Sequence, residues 1–90
     1  MTEGTMDMFE LAQNAKGRVE QVTGLKASSV TGVARDEEGH WVVTLEMLEK
    51  KSIPDSMDIL GTYEVKMDGD GNVLDFARTR LRRRGDTVEV

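Results

Sequence analysis

Five arginines fall within the seven residues Arg78–Arg84 (RTRLRRR), and no acid lies among them. A guanidinium is a planar fork that pairs bidentately with carboxylates or phosphates. In an extended strand every second side chain projects to one side, so Arg78, Arg80 and Arg82 are expected to form one cationic row. Arg83 and Arg84 would carry the charge past the strand. Charge on an edge strand also blocks edge-to-edge pairing, but that purpose needs fewer cations than this. The reading is therefore a partner-binding surface at Arg78, Arg80, Arg82, Arg83 and Arg84, shaped for an acidic protein. Nucleic acid is the alternative partner, because arginine clusters also bind phosphate. The absence of aromatics between the arginines and the net charge of −5 tilt against it, so no nucleic acid is expected.

Other residues suggest chemistry less strongly. Asp68, Asp70 and Asn72 have the 1, 3, 5 spacing that opens a calcium loop, but position 6 is Val73 rather than Gly and position 12 is Thr79 rather than Glu. An Asp- and Gly-rich hairpin turn accounts for them better. His40 follows the acids Asp36, Glu37 and Glu38 and could sense pH, since a free imidazole titrates near neutrality. An exposed residue at a strand start is the simpler reading. Ser28, Ser29, Ser52 and Ser56 sit in turn-like settings, none of them in a G-x-S-x-G elbow. Asp55 and Asp58 are close carboxylates, yet a chain with four aromatics rarely encloses a cleft that desolvates a substrate. No phosphate-cradling glycine loop is present. We read no catalytic, cofactor or metal residue, and no enzyme.

The composition sets the limits. Ninety residues make one domain, with 38% apolar and 32% charged residues. Without cysteine there can be no disulfide and no thiolate site. A single histidine excludes a two-histidine metal site within one chain. No apolar run approaches the roughly 18 residues that span a bilayer. Met1–Met8 has no basic group, unlike a secretory signal. A soluble, cytoplasmic location without membrane contact is the expectation. The charge is uneven: outside Arg78–Arg84 the chain holds seven basic and all seventeen acidic residues. Seven of the acids lie between Asp36 and Asp58, so weak head-to-tail self-association is also conceivable.

The elements that would position these residues follow from periodicity. Met8, Ala12, Ala15, Val19 and Val22 recur at helical spacing, with Asp7 and Glu10 as a capping box and Gly24 as a stop. This predicts a helix over 7–23. Strands are predicted at about 29–36, with a bulge at Gly32, then at 40–50, 59–68 and 72–82. Trp41, Val43, Leu45 and Met47 form the inward face of the second strand. Ile59, Gly61, Tyr63, Val65 and Met67 form that of the third. Trp41 and Tyr63 would pack as core aromatics, in the simplest case as a cross-strand pair. Both Asp-Gly steps of residues 68–72 suit the positive φ of primed turns. In the last strand, Leu74 and Phe76 would share a face with the arginine row. The fold class is α+β: an N-terminal helix packed on a four-stranded antiparallel β-meander in two layers.

The ordered set Val22-Thr23-Gly24-Leu25, Val30-Thr31-Gly32-Val33, Gly39–Glu46 (GHWVVTLE), Ile53-Pro54-Asp55, Leu60–Val65 (LGTYEV), Asp70-Gly71-Asn72-Val73 and Arg78-Thr79-Arg80-Leu81 resembles the gas vesicle protein O family (GvpO). The match covers about residues 8–84. Many members carry a long acidic or low-complexity N-terminal extension, which is nearly absent here. The resemblance implies an accessory protein of gas vesicle assembly, free in the cytoplasm or vesicle-associated, that contacts the shell protein or other accessory proteins. It brings no catalytic residues. A small ligand-binding or inhibitory domain is the remaining alternative, because a helix over a sheet is a reusable scaffold.

Overall fold

The computed structural model describes residues 7–85. Asp7 caps α1 (Met8–Thr23) by accepting from the Glu10 backbone N–H at 2.8 Å, while the Glu10 carboxylate accepts from the Asp7 N–H. Gly24, in left-handed conformation at φ 75°, closes the helix with its N–H on the Glu20 carbonyl. Both ends follow the sequence pattern. Four strands follow: β1 (Lys26–Arg35), β2 (Trp41–Lys50), β3 (Ile59–Met67) and β4 (Val73–Arg83), with a short 3-10 turn at Asp55–Met57. They form one antiparallel meander in the order β1-β2-β3-β4. β1 starts three residues before the predicted 29, because Lys26 and Ala27 still find partners in Leu48 and Met47. Ser28 and Ser29 therefore lie in a strand, not a turn. The bulge expected at Gly32 falls one residue earlier: Val30 pairs with Leu45 and Gly32 with Thr44, so Thr31 is the extra residue.

The two hairpin turns are built alike. Asp36 and Asp68 each accept from the backbone N–H groups two and four residues on, at 2.9 Å. Gly39 and Gly71 supply positive φ at the fourth position, 88° and 91°. These are three-residue loops closed by a glycine rather than two-residue primed turns, so Gly69 is not needed at positive φ.

The core lies between α1 and one face of the sheet. Leu11, Ala15 and Val19 of the helix meet Val43, Leu45, Met47, Val65 and Met67, all at 0% exposure. The helix packs on β1, β2 and β3, and β4 lies at its margin. Two expectations fail here. Trp41 and Tyr63 do not pair, since Tyr63 stands opposite Leu45 and Trp41 opposite Met67. Tyr63 packs on Phe76 at 6.2 Å between ring centres, and Trp41, half-buried, carries the Arg35 guanidinium 4.9 Å from its ring centre. Val22 belongs to the helical apolar stripe by spacing, yet it is 70% exposed.

The arginine strand as candidate functional site

β4 does not present its arginines in one row. Across β3, Arg82 pairs with Leu60 and Arg80 with Thr62, but Arg78 pairs with Tyr63. Thr62 and Tyr63 point to opposite faces, so the strand absorbs one extra residue at Thr79 and its alternation flips. Arg80 and Arg82 lie on the open face of the sheet. Arg78, Leu81 and Phe76 lie on the helix side. The sequence pattern alone gives no warning of this bulge, because every residue from Arg78 to Arg82 tolerates either face.

Each face then supplies carboxylates. On the open face Arg82 forks onto Glu46, with Nε to Oε2 at 2.9 Å and an NH2 contact to Oε1 at 3.0 Å. Glu46 lies on β2, two strands away, so the Arg82 side chain crosses β3 over its partner Leu60, which is 1% exposed. On the helix side Arg78 stands 3.7 Å from Glu49, whose other oxygen accepts from the Tyr63 hydroxyl at 2.7 Å. The Glu49 carboxylate lies over Gly61, where a Cβ would collide with it. Burial, and then the Glu49 carboxylate, push the Tyr63 hydroxyl above its ordinary pKa of 10.0.

Arg84 has a different task. Asp58 is fully buried and accepts from the Ser52 N–H at 2.7 Å and from Arg84 Nε at 3.2 Å. The Ser52 bond above all, with the Arg84 bond and the nearby Lys51 charge, outweighs burial and holds this carboxyl below its ordinary 3.8. Backbone bonds from Arg84 to Asp58 and from Gly85 to Ser56, both 2.8 Å, tie the end of β4 to the 51–58 connection. Asp58 is thus a structural hub, and the Lys51 ammonium stands 3.2 Å from Asp55 and 3.8 Å from Asp58. Arg83 is exposed and has no ion pair among the described residues. Even the paired guanidiniums stay reachable: the side chains of Arg78, Arg82 and Arg84 are 48%, 28% and 40% exposed.

The weaker candidates resolve into structure. The carboxylate of Asp68 accepts from Asp70, from Asn72 and from the Asn72 side chain, so it is spent on its own loop. His40 Nδ1 lies 3.9 Å from Asp36 and 3.5 Å from Glu38. These three side chains have the spacing of a cation site, but the Lys66 ammonium already stands 3.9 Å and 3.7 Å from the same two carboxylates. A hollow of about 180 Å³ on the sheet, lined by Val42, Glu64, Lys66 and Asp75 among others, is smaller than the usual small-molecule pocket of about 300–1,000 Å³. No helix among the described residues is long and apolar enough to cross a membrane.

The model of the family described as "Gas vesicle synthesis protein GvpO" matches residues 1–88. The chain belongs to the GvpO family. Gas vesicle protein O of Streptomyces sp. (strain CB03234) is 36% identical over 77 residues, covering 86% of this chain and 59% of that protein. Gas vesicle protein O1 of Halobacterium salinarum is 39% identical over 54 residues, 60% of this chain and 44% of that protein. Gas vesicle protein O of Haloferax mediterranei is 37% identical over 49 residues, 54% of this chain and 35% of that protein. The aligned GvpO segment thus spans less than two thirds of each of these relatives. No solved structure matches.

Proposed function

We propose that this GvpO chain is a non-catalytic adaptor in gas vesicle assembly, docking on an acidic surface of another gas vesicle protein through Arg78, Arg80, Arg82, Arg83 and Arg84. Membership of a family of gas vesicle synthesis proteins supports the process. The observation that carries the site is the density of reachable cations at one end of β4, with Arg83 unneutralised among the described residues. Glu49, Glu46 and Asp58 hold Arg78, Arg82 and Arg84, whose side chains still stay 48%, 28% and 40% exposed. The strand works in the cytoplasm as a fixed fork: internal pairs lock Arg78, Arg82 and Arg84 in place, and pre-organised guanidiniums lose less freedom when a partner carboxylate arrives.

The test is pairwise binding to purified shell and accessory gas vesicle proteins. Arg80→Glu with Arg83→Glu is the informative variant. Arg82 is left intact, because a glutamate there would face Glu46 and harm the fold. Affinity for at least one vesicle protein should fall about tenfold or more, while circular dichroism shows the chain still folded. Full affinity in the double variant removes the strand as the dock. Salt-sensitive DNA or RNA binding in place of protein binding would replace the adaptor by a phosphate-contacting regulator.

A further inference from the structure

The meander puts opposite charges at opposite ends. At one end lie both hairpin turns and the first turn of α1, placed there by a hydrogen bond from the Asn14 side chain to the Gly71 carbonyl. This turn end holds Asp7 and Glu10 of the helix, Asp36, Glu37 and Glu38 of the first loop and Asp68 and Asp70 of the second. Arg35, Lys66 and His40 lie among them. At the other end lie the start of β1, the 51–58 connection and the end of β4. There Glu20 accepts from the Ala27 N–H, and Glu46, Glu49, Asp55 and Asp58 are taken up by Arg82, Arg78, Lys51 and Arg84, while Lys26, Lys50 and Arg83 are exposed without an ion pair among the described residues. The molecule is 48 × 26 × 20 Å, so the two ends are several Debye lengths of about 8–10 Å apart and do not screen one another.

Apolar exposure follows the same axis. Beside the acids, Met8 and Phe9 are 52% and 72% exposed. Beside these cations, Val22, Ile53 and Leu81 are 70%, 99% and 50% exposed. Val22 stands three helical turns beyond the fully buried Leu11 on the same side of α1, so the stripe runs on past its cover. The reason is dimensional. Four strands make a sheet about 19 Å wide, and one helix covers about 10 Å of that. Val73 and Phe76 of β4 still pack against the core, but its helix-side residues Arg78 and Leu81 are left outside.

We propose that this chain binds a second copy of itself head to tail. The acidic first turn of α1, with Met8 and Phe9 as its apolar anchor, sits on the bare helix-side end of the next copy, between Val22 and Leu81 and beside Arg83. Each contact leaves one acidic and one cationic end unused, so the arrangement is heterologous and extends beyond a dimer. The proposal stands on the polarity of this chain and not on the vesicle-partner reading.

Sedimentation equilibrium of the full chain tests it, in about 20 mM and 500 mM salt. At low salt the weight-average mass should rise with concentration past that of two chains, and at high salt it should fall to the 10.0 kDa of one. Glu37→Lys with Asp70→Lys reverses exposed positions of the turn end. Lys50→Glu with Arg83→Glu reverses the other end. Each variant alone should stay a monomer with an unchanged thermal midpoint, and their equimolar mixture should associate again. A wild type that is monomeric at every salt, or that saturates at a dimer, overturns the proposal. So does a mixture that stays monomeric, or a variant that associates as the wild type does. The turn-end variant leaves every arginine of β4 in place. If it loses self-association but still binds vesicle proteins, the two surfaces separate; if the wild type self-associates but binds no vesicle protein, only the adaptor reading fails.

Discussion

Asp58 shows how one carboxylate can hold a connection that has little core of its own. Its folded pKa lies below the ordinary 3.8, so between the two values the unfolded chain binds more protons than the folded one. Stability from this group is therefore fully present above the unfolded pKa and is lost as pH falls through the folded one. Asp36 and Asp68 shift the same way. Burial opposes the shift at Asp36, where backbone bonds from His40 and Glu38 outweigh it, and at Asp68 the Asn72 side chain is the main cause. The thermal midpoint should be flat down to about pH 5 and fall steeply below about pH 4. Asp58→Asn should lower the midpoint at neutral pH and make the acid decline shallower, as thermal melts across pH would record; an identical decline would show that Asp58 takes no part. Gly61 offers a second residue-level test. A methyl at Gly61→Ala must displace the Glu49 carboxylate from the backbone it covers. That carboxylate is the end of a flexible side chain, so the expected cost is that of its bond to Tyr63, about 0.5–1.5 kcal/mol. Tyr63 is the only tyrosine, so an ultraviolet titration reads it alone. Its raised pKa should move back toward 10.0 as the Glu49 contact is lost, although burial keeps part of the shift.

At the scale of elements, α1 depends on its packing. Sixteen residues are barely enough for an isolated helix, and Gly17 weakens it in the middle. An added Cβ at Gly17 meets nothing within 4 Å. Gly17→Ala should therefore stabilise the protein by about 0.5–1 kcal/mol, a rise of about 2–8 °C in the thermal midpoint for a domain of this size. A calorimetric midpoint that stays put or falls would mean that Gly17 is required for a reason other than space. The helix, its caps, the strand order and the inward faces of β2 and β3 were all legible in the sequence, because capping boxes and alternation are local signals that the buried face reinforces. Less was legible at the margins. β4 has no apolar alternation strong enough to fix its faces, so its bulge at Thr79 and the division of the arginines were hidden. The pairs Arg82–Glu46 and Arg84–Asp58 join residues 36 and 26 positions apart, and only the folded register brings them together.

The whole molecule is a two-layer domain covered on half of one face, and its stability should be distributed accordingly. Leu45 is fully enclosed between α1 and the sheet. Leu81, of the same side-chain volume and on the same side of the sheet, lies past the helix at 50% exposure. If the helix defines the core, Leu45→Ala opens a cavity and costs about 2–5 kcal/mol, while Leu81→Ala stays within about 0.5 kcal/mol. Small domains have a total stability toward the lower end of about 5–15 kcal/mol, so the first variant should be partly unfolded at room temperature and the second indistinguishable from wild type in urea. The comparison must be made in high salt. There head-to-tail contacts are screened, and the unfolding midpoint reports one chain rather than an assembly whose stability depends on concentration. In low salt the ranking should narrow: Leu81 would then lie in the contact between copies, and Leu81→Ala should lower the midpoint only at concentrations where the wild type associates. Equal losses for both leucines in high salt would place part of the core over β4, and the bare shelf on which the contact between copies depends would not exist.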